Sequence, residues 1–193
     1  MTRPPPHSLP LGAVLAGGAA TRLGGAKVTA KLGGLPLIAY PLDALAEAGI
    51  ESLVVAKKDT ALPPLNVPLL TEPDRPVHPL TGVVAALRHA GGRAVLVLPC
   101  DAPFLTPMLL RVIASATKTT AVRSAGHVHP LIALYEPEAV PRLSEAVESG
   151  ESATAALESL EPEWIEVPER ETFNVNTPED LARAEALLRA PRG

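Results

Sequence analysis

The sequence predicts an α/β fold, a mostly parallel sheet with helices on both faces. Three observations predict it. The runs "LGAVLA", "SLVVA" and "AVLVLPCD" are of strand length and apolar throughout rather than alternating, as in strands covered on both sides. The segments between them carry helical spacing. Strand and helix alternate over most of the length, and parallel strands need such crossovers. With 193 residues, 47% of them hydrophobic, the chain can bury one sizeable core. A single domain is expected from residue 11 to 193, behind a proline-dense, mobile arm over residues 1–10.

Each element follows in order. "LGAVLA" is the first buried strand. "PLIAYPLDALAEAG" has helical spacing at Leu37, Leu42, Leu45 and Ala46 and stops at Gly49, with Pro41 bending its first turns. "SLVVA" and the shorter "VPLL" are strands, and "TGVVAALRHAGG" is a helix ending on a glycine pair. "AVLVLPCD" is the strongest strand signal. "TPMLLRVIASA" is a helix with Thr106 as N-cap and Pro107 at its first position. "TTAVRS" and "PLIALYE" are strands, "EAVPRLSEAVESG" and "ATAALESL" helices, and "WIEV" a late strand. "NTPEDLARAEALL" closes the series as a helix capped by Thr177, with Pro178, Glu179 and Asp180 in its first turn.

Composition excludes several classes. Net charge is -4, no stripe of Lys or Arg forms, and aromatics are 3% of residues, so neither phosphate-backbone binding nor base stacking is expected. One cysteine cannot form an internal disulfide, which fits a reducing compartment. "MTRPPPHSLP" has no apolar core of a signal peptide, and no window approaches the roughly 18 apolar residues of a membrane span. A cytoplasmic protein with no membrane partner is expected.

"LAGGAATRLGGAK", Leu15 to Lys27, follows the first strand, where open α/β sheets bind ligands. Gly17 and Gly18 let the main chain approach a ligand with its N–H groups outward, and Arg22 and Lys27 add positive charge. The set suits a polyphosphate, though glycine loops with solvated cations are common. The stretch is neither a P-loop nor G-x-G-x-x-G.

Other residues carry candidate chemistry. Asp101 in "LPCDAPFL" lies just past an apolar strand, as a turn residue or as a ligand for Mg²⁺, which takes one or two carboxylates plus phosphates and water. Cys100 reads as packing. Gly82 in "HPLTG" allows close approach of a base or ribose. Asp74 in "EPDRP" is a solvated charge or an acceptor for purine N–H groups. His127 and His129 share a strand face, yet no third metal ligand stands at a useful spacing. Asn174 and Asn176 in "FNVNTPEDL" are turn formers or ligand-orienting amides.

L-A-G-G, small residues, R-L-G, a lysine and then "GLPL" resembles the signature of the Rossmann-like nucleotide-diphospho-sugar transferase superfamily. Lys31 competes with Lys27 for the signature lysine; spacing from Arg22 and to Gly34 favours Lys27. "HPLTG", "CDAPFL", "HPLIALY" and "NVNTPEDL", in that order, narrow the resemblance to the molybdenum cofactor guanylyltransferases over residues 11–188. Three features depart from that pattern: Ala26 replaces the acidic residue before the lysine, "KKD" follows "VVA" where an Asn is common, and "SGESA" lacks an arginine.

The resemblance implies a three-layer, Rossmann-like fold and transfer of GMP from GTP to the molybdopterin phosphate, with release of pyrophosphate. It implies Leu15, Ala16, Gly17, Gly18, Lys27, Asp74, Gly82 and Asp101 as nucleotide-binding, and Lys27, Asp101 and Arg22 as catalytic. Asp101 would hold Mg²⁺, and Asn174 and Asn176 would bind the acceptor. A protein that delivers the molybdenum cofactor is a conceivable partner. Two alternatives stay open. One is a related enzyme using CTP or a sugar phosphate. The other is a non-catalytic nucleotide-binding homologue, a reading that Ala26 sustains.

Overall fold

The computed structural model describes residues 9–17 and 29–189. The arm expected at residues 1–10 lies almost wholly outside them, as do Gly18, Arg22 and Lys27 of the glycine-rich stretch.

The described elements are β1 (Leu11–Leu15), β2 (Lys31–Leu32), β3 (Leu35–Pro36), α1 (Ala39–Ala48), β4 (Ser52–Ala56), β5 (Leu69–Thr71), α2 (Thr81–His89) and β6 (Val95–Pro99). There follow α3 (Pro107–Ala114), β7 (Thr120–Ser124), β8 (His127–Tyr135), α4 (Val140–Ser149), α5 (Ala153–Glu158), β9 (Glu163–Glu166) and α6 (Pro178–Arg189). Seven strands form one sheet in the order β5-β4-β1-β6-β8-β7-β9. Strands β1, β4, β5, β6, β7 and β9 run the same way and β8 runs against its neighbours, so the sheet is mostly parallel as predicted.

The apolar runs explain the layers. Alternate residues of a strand face opposite sides. Leu11, Ala13 and Leu15 of β1 therefore join Leu53, Val55, Val95 and Val97 beneath α2, α4 and α5. Val14 and Ala16 join Val54, Leu96 and Leu98 beneath α1 and α3. Both faces are thus dry, which is why these strands show no polar alternation. A third, smaller cluster of Leu32, Leu37, Val175 and Ala184 seats α6 against the β2–β3 region.

Caps match the sequence. Thr106 accepts a hydrogen bond from the Leu109 amide at 3.2 Å, with Pro107 opening α3. Thr177 Oγ1 accepts from the Asp180 amide at 3.1 Å. Gly49 ends α1 at φ 76°, a conformation that glycine adopts without steric cost.

One element was not expected: Gly33 and Gly34, at φ 56° and 92°, form the turn of a small antiparallel hairpin, β2–β3. Three expectations need correction. Ala46 is exposed; the buried face of α1 is Pro41, Ala44 and Leu45. Strand β8 begins at His127 rather than at Pro130, because it pairs with β7 through a register shift at Ala121/Val122. Strand β5 lies one to two residues beyond "VPLL" and is largely exposed at the sheet edge.

Candidate active site

Strand order reverses at β1, which has β4 on one side and β6 on the other. Crossovers leave such a point in opposite directions, so a crevice opens beyond its carboxyl end. Leu15, Ala16 and Gly17 lead into it. The Ala16 amide donates to the Val55 carbonyl at 2.8 Å, and the Leu15 carbonyl accepts from the Cys100 amide at 3.1 Å. These bonds hold the main chain between the ends of β4 and β6. Leu15 and Ala16 are nearly buried, so what they can offer a ligand is main chain rather than side chain.

One wall of the crevice is a residue that the sequence reading passed over. Glu72 follows β5, its amide donating to the Ala56 carbonyl at 2.9 Å. The residue is 6% exposed, unusual for a carboxylate. Its carboxyl lies between the two glycines predicted to admit a nucleotide. A Cβ at Gly17 would lie 2.0 Å from Glu72 Oε1, and one at Gly82 would lie 2.7 Å from Oε2. The group that approaches Gly82 near the start of α2 is the Glu72 carboxyl. Asp74 is exposed, and its main-chain carbonyl accepts from Lys57 Nζ at 2.9 Å. Burial pushes the Glu72 carboxyl above the ordinary glutamate range; Lys57 opposes that shift and Asp74 adds to it. A legible signal did exist: an acidic residue placed immediately after a short parallel strand lands on the carboxyl rim.

Asp101 stands on the other side of β1, two residues past β6, and is 5% exposed. Its main-chain carbonyl accepts from the Val175 amide at 2.9 Å, so the "FNVN" segment crosses directly over it. Asn174 and Asn176 flank that contact. Asn174 Oδ1 is buried with no hydrogen-bond partner. Asn176 is exposed, and its amide, like that of Thr177, donates to Asp180 Oδ2 at 3.0 Å. Phe104 and Phe173 pack beside this segment with centroids 6.2 Å apart.

Residues 12–163 match the MobA-like NTP transferase domain. The chain belongs to that family. It is 34% identical to a molybdenum cofactor guanylyltransferase of Cereibacter sphaeroides, covering 92% of this chain and 96% of that one. It is 36% identical to the molybdenum cofactor guanylyltransferase of Rhodobacter capsulatus, with the same coverage. Among solved structures it is similar to molybdopterin-guanine dinucleotide biosynthesis protein A from Archaeoglobus fulgidus: TM-score 0.74, 25% identity, 92% of this chain and 98% of that one. A CMP:2-keto-3-deoxy-manno-octonic acid synthetase complexed with CTP shares the fold, with TM-score 0.77, at 14% identity over 94% of this chain and 98% of that one. The resemblance inferred from the motifs thus holds over nearly the whole chain, and the protein is a nucleotidyltransferase by family.

The described residues contain no group of three or more His, Cys, Asp and Glu able to hold a metal. That rules against an all-protein cage within them. His127 is exposed and His129 turns to Ser124, so the two do not form a metal pair with a third described ligand. Cys100 is buried among apolar neighbours, as expected of a packing residue. No helix among the described residues is long and apolar enough to cross a membrane.

Proposed function

We propose that this protein is a molybdenum cofactor guanylyltransferase, transferring GMP from GTP to the phosphate of molybdopterin and releasing pyrophosphate. The observation that carries the reading is the buried carboxylate of Glu72 between Gly17 and Gly82 at the switch point. An ionised carboxylate only accepts hydrogen bonds, and guanine offers two adjacent donors, the ring N–H and the exocyclic amine. Cytosine and adenine present an acceptor at the matching ring nitrogen, where a carboxylate would find no partner.

In the reaction, a phosphate oxygen of molybdopterin attacks the α-phosphorus of GTP in line. A new P–O bond forms as the bond to the β-phosphate breaks, and pyrophosphate departs with the electron pair. The attacking oxygen is already ionised, so no general base is needed, and positioning and charge stabilisation carry the rate. Leu15, Ala16, Gly17 and Gly18 bring main-chain groups to the nucleotide; Arg22 and Lys27 neutralise its phosphates. Asp101 would hold Mg²⁺, which would supply positive charge to offset that of the phosphates. Asn174 and Asn176 orient the acceptor. Asp74 and Gly82 complete the nucleotide-binding set, with the Asp74 carbonyl tied to Lys57. The unit is a single domain from residue 11 onward, working in the cytoplasm.

Pyrophosphate release measured with GTP, CTP, UTP and ATP, each with molybdopterin and Mg²⁺, tests the reading. GTP alone should support turnover. Turnover with CTP in preference to GTP would overturn the base assignment, and binding of GTP with no release from any acceptor would mark a non-catalytic homologue.

A further inference from the structure

His129 was left unused by the metal reading, and the described structure gives it a different occupation. Its Nε2 lies 2.7 Å from Ser124 Oγ, which lies 2.7 Å from Thr172 Oγ1. Thr172 Oγ1 in turn donates to the Glu169 carbonyl at 3.3 Å. Ser124 and Thr172 are 4% and 5% exposed, and His129 is half-buried. One assignment of protons uses each donor once. The ring N–H donates to Ser124, the serine hydroxyl to Thr172, and the threonine hydroxyl to a carbonyl that can only accept. The reverse direction would leave the Glu169 carbonyl without this donor.

This chain ends on the segment that crosses the carboxyl rim. Ser124 closes β7, His129 lies near the start of the antiparallel β8, and both therefore stand on the same rim as Asp101. Thr172 is anchored there, and three residues on, the Val175 amide is anchored to Asp101. Asn174 lies between the two anchors, with Oδ1 buried and unpartnered. A buried carbonyl oxygen without a donor is costly, and a relaxed loop would turn it to water. The two anchors prevent that relaxation.

We propose that His129, acting through Ser124 and Thr172, is a positioning residue that holds Asn174 for the acceptor, and that Asn174 Oδ1 receives an N–H or O–H donor of the acceptor molecule rather than a phosphate oxygen. An ionised phosphate oxygen only accepts, as a carbonyl oxygen does, so the two cannot answer each other. The inference rests on the proposed transfer reaction for the identity of the acceptor, and it assigns the nucleotide half of the site no part in the effect.

The test uses the full chain with GTP, Mg²⁺ and molybdopterin. His129→Leu raises the acceptor KM about tenfold, the effect of one lost hydrogen bond, while the KM for GTP and the GTP-induced rise in Tm stay within about twofold. His129→Gln, whose side-chain amide can supply the same donor, restores most of the loss. Thr172→Val matches His129→Leu, and the double variant is no worse than either, because both break one chain. Should His129→Leu fail to fold, Thr172→Val against Thr172→Ser carries the same comparison, with the serine variant expected near the unaltered protein. An unchanged acceptor KM, an equal loss of GTP binding, or multiplicative losses in the double variant would each overturn the inference. Absence of GMP transfer by the unaltered protein would instead overturn the proposed function, and this inference with it.

Discussion

At the scale of single residues, two buried carboxylates dominate the carboxyl rim, and they call for different experiments. Asp101→Ala should keep the fold, judged by circular dichroism and Tm, and lose turnover by about a hundredfold or more, since several kcal/mol of charge stabilisation would go with the Mg²⁺ it is proposed to hold. Glu72 is under the opposite tension. Its carboxyl is raised by burial, so the folded protein resists its ionisation. A carboxyl whose folded pKa lies above its unfolded one favours folding most at low pH, and that advantage is lost as pH rises through the raised value. Glu72→Gln should therefore raise Tm at pH 7, with the gain vanishing as pH falls below the ordinary glutamate range near 4.5. The same variant should lose preference for GTP over the other nucleotides in pyrophosphate release. A lower Tm at pH 7 would show that the carboxylate stabilises rather than strains the empty site. The two residues also differ in how legible they were. Asp101 follows a five-residue apolar strand and was read directly. Glu72 follows a three-residue, mostly exposed edge strand, where the apolar pattern is weak, and the more turn-like Asp74 drew the assignment instead.

At the scale of elements, the first turn of α6 fixes the segment that carries Asn174 and Asn176. Asp180 Oδ2 accepts from the amides of Asn176 and Thr177, and its own amide donates back to Thr177. Burial pushes the Asp180 carboxyl up, yet these bonds and Arg183 more than reverse it, leaving it below the ordinary aspartate range. Asp180→Ala should cost about 1 kcal/mol in urea unfolding, the usual cost of a lost cap, and should raise the acceptor KM more than the GTP KM. Thr106→Ala removes the cap of α3, together with a 2.9 Å hydrogen bond to Glu171 Oε2. It should cost about the same and leave both KM values near those of the unaltered protein. Caps and apolar strands were readable because their signals are local: a Thr-Pro pair, or five consecutive aliphatic residues. The β2–β3 hairpin was not, because strands of two residues carry no periodicity and only Gly33 and Gly34 mark the turn. The start of β8 escaped for a related reason: its first residues belong to the strand through pairing with β7, and their own sequence, "HVHP", contains a proline.

At the scale of the molecule, alternation alone predicts a mostly parallel sheet, but it does not give strand order. The reversal at β1 and the insertion of antiparallel β8 between β6 and β7 come from long-range pairing that no short window records. That order is what sets Glu72 and Asp101 on either side of β1, one reached through β4 and the other at the end of β6. It makes the nucleotide half of the site a property of the whole sheet. A thermal-shift series should report it: GTP raises Tm in a concentration-dependent way, by mass action on the folded state, and CTP does so far less. Equal shifts from all four nucleotides would mean that the base is not read.

The contact between the Val175 amide and the Asp101 carbonyl also has a consequence for biogenesis. The crevice at β1 draws on the early part of the polypeptide, whereas the strap over Asp101 comes from its final fifth. A growing chain emerging from the ribosome therefore carries β1 and Asp101 before the strap that crosses Asp101 has been synthesised. The rim is complete only once the final helix has docked, so a prematurely terminated product lacks the strap over Asp101 and part of the core that seats it.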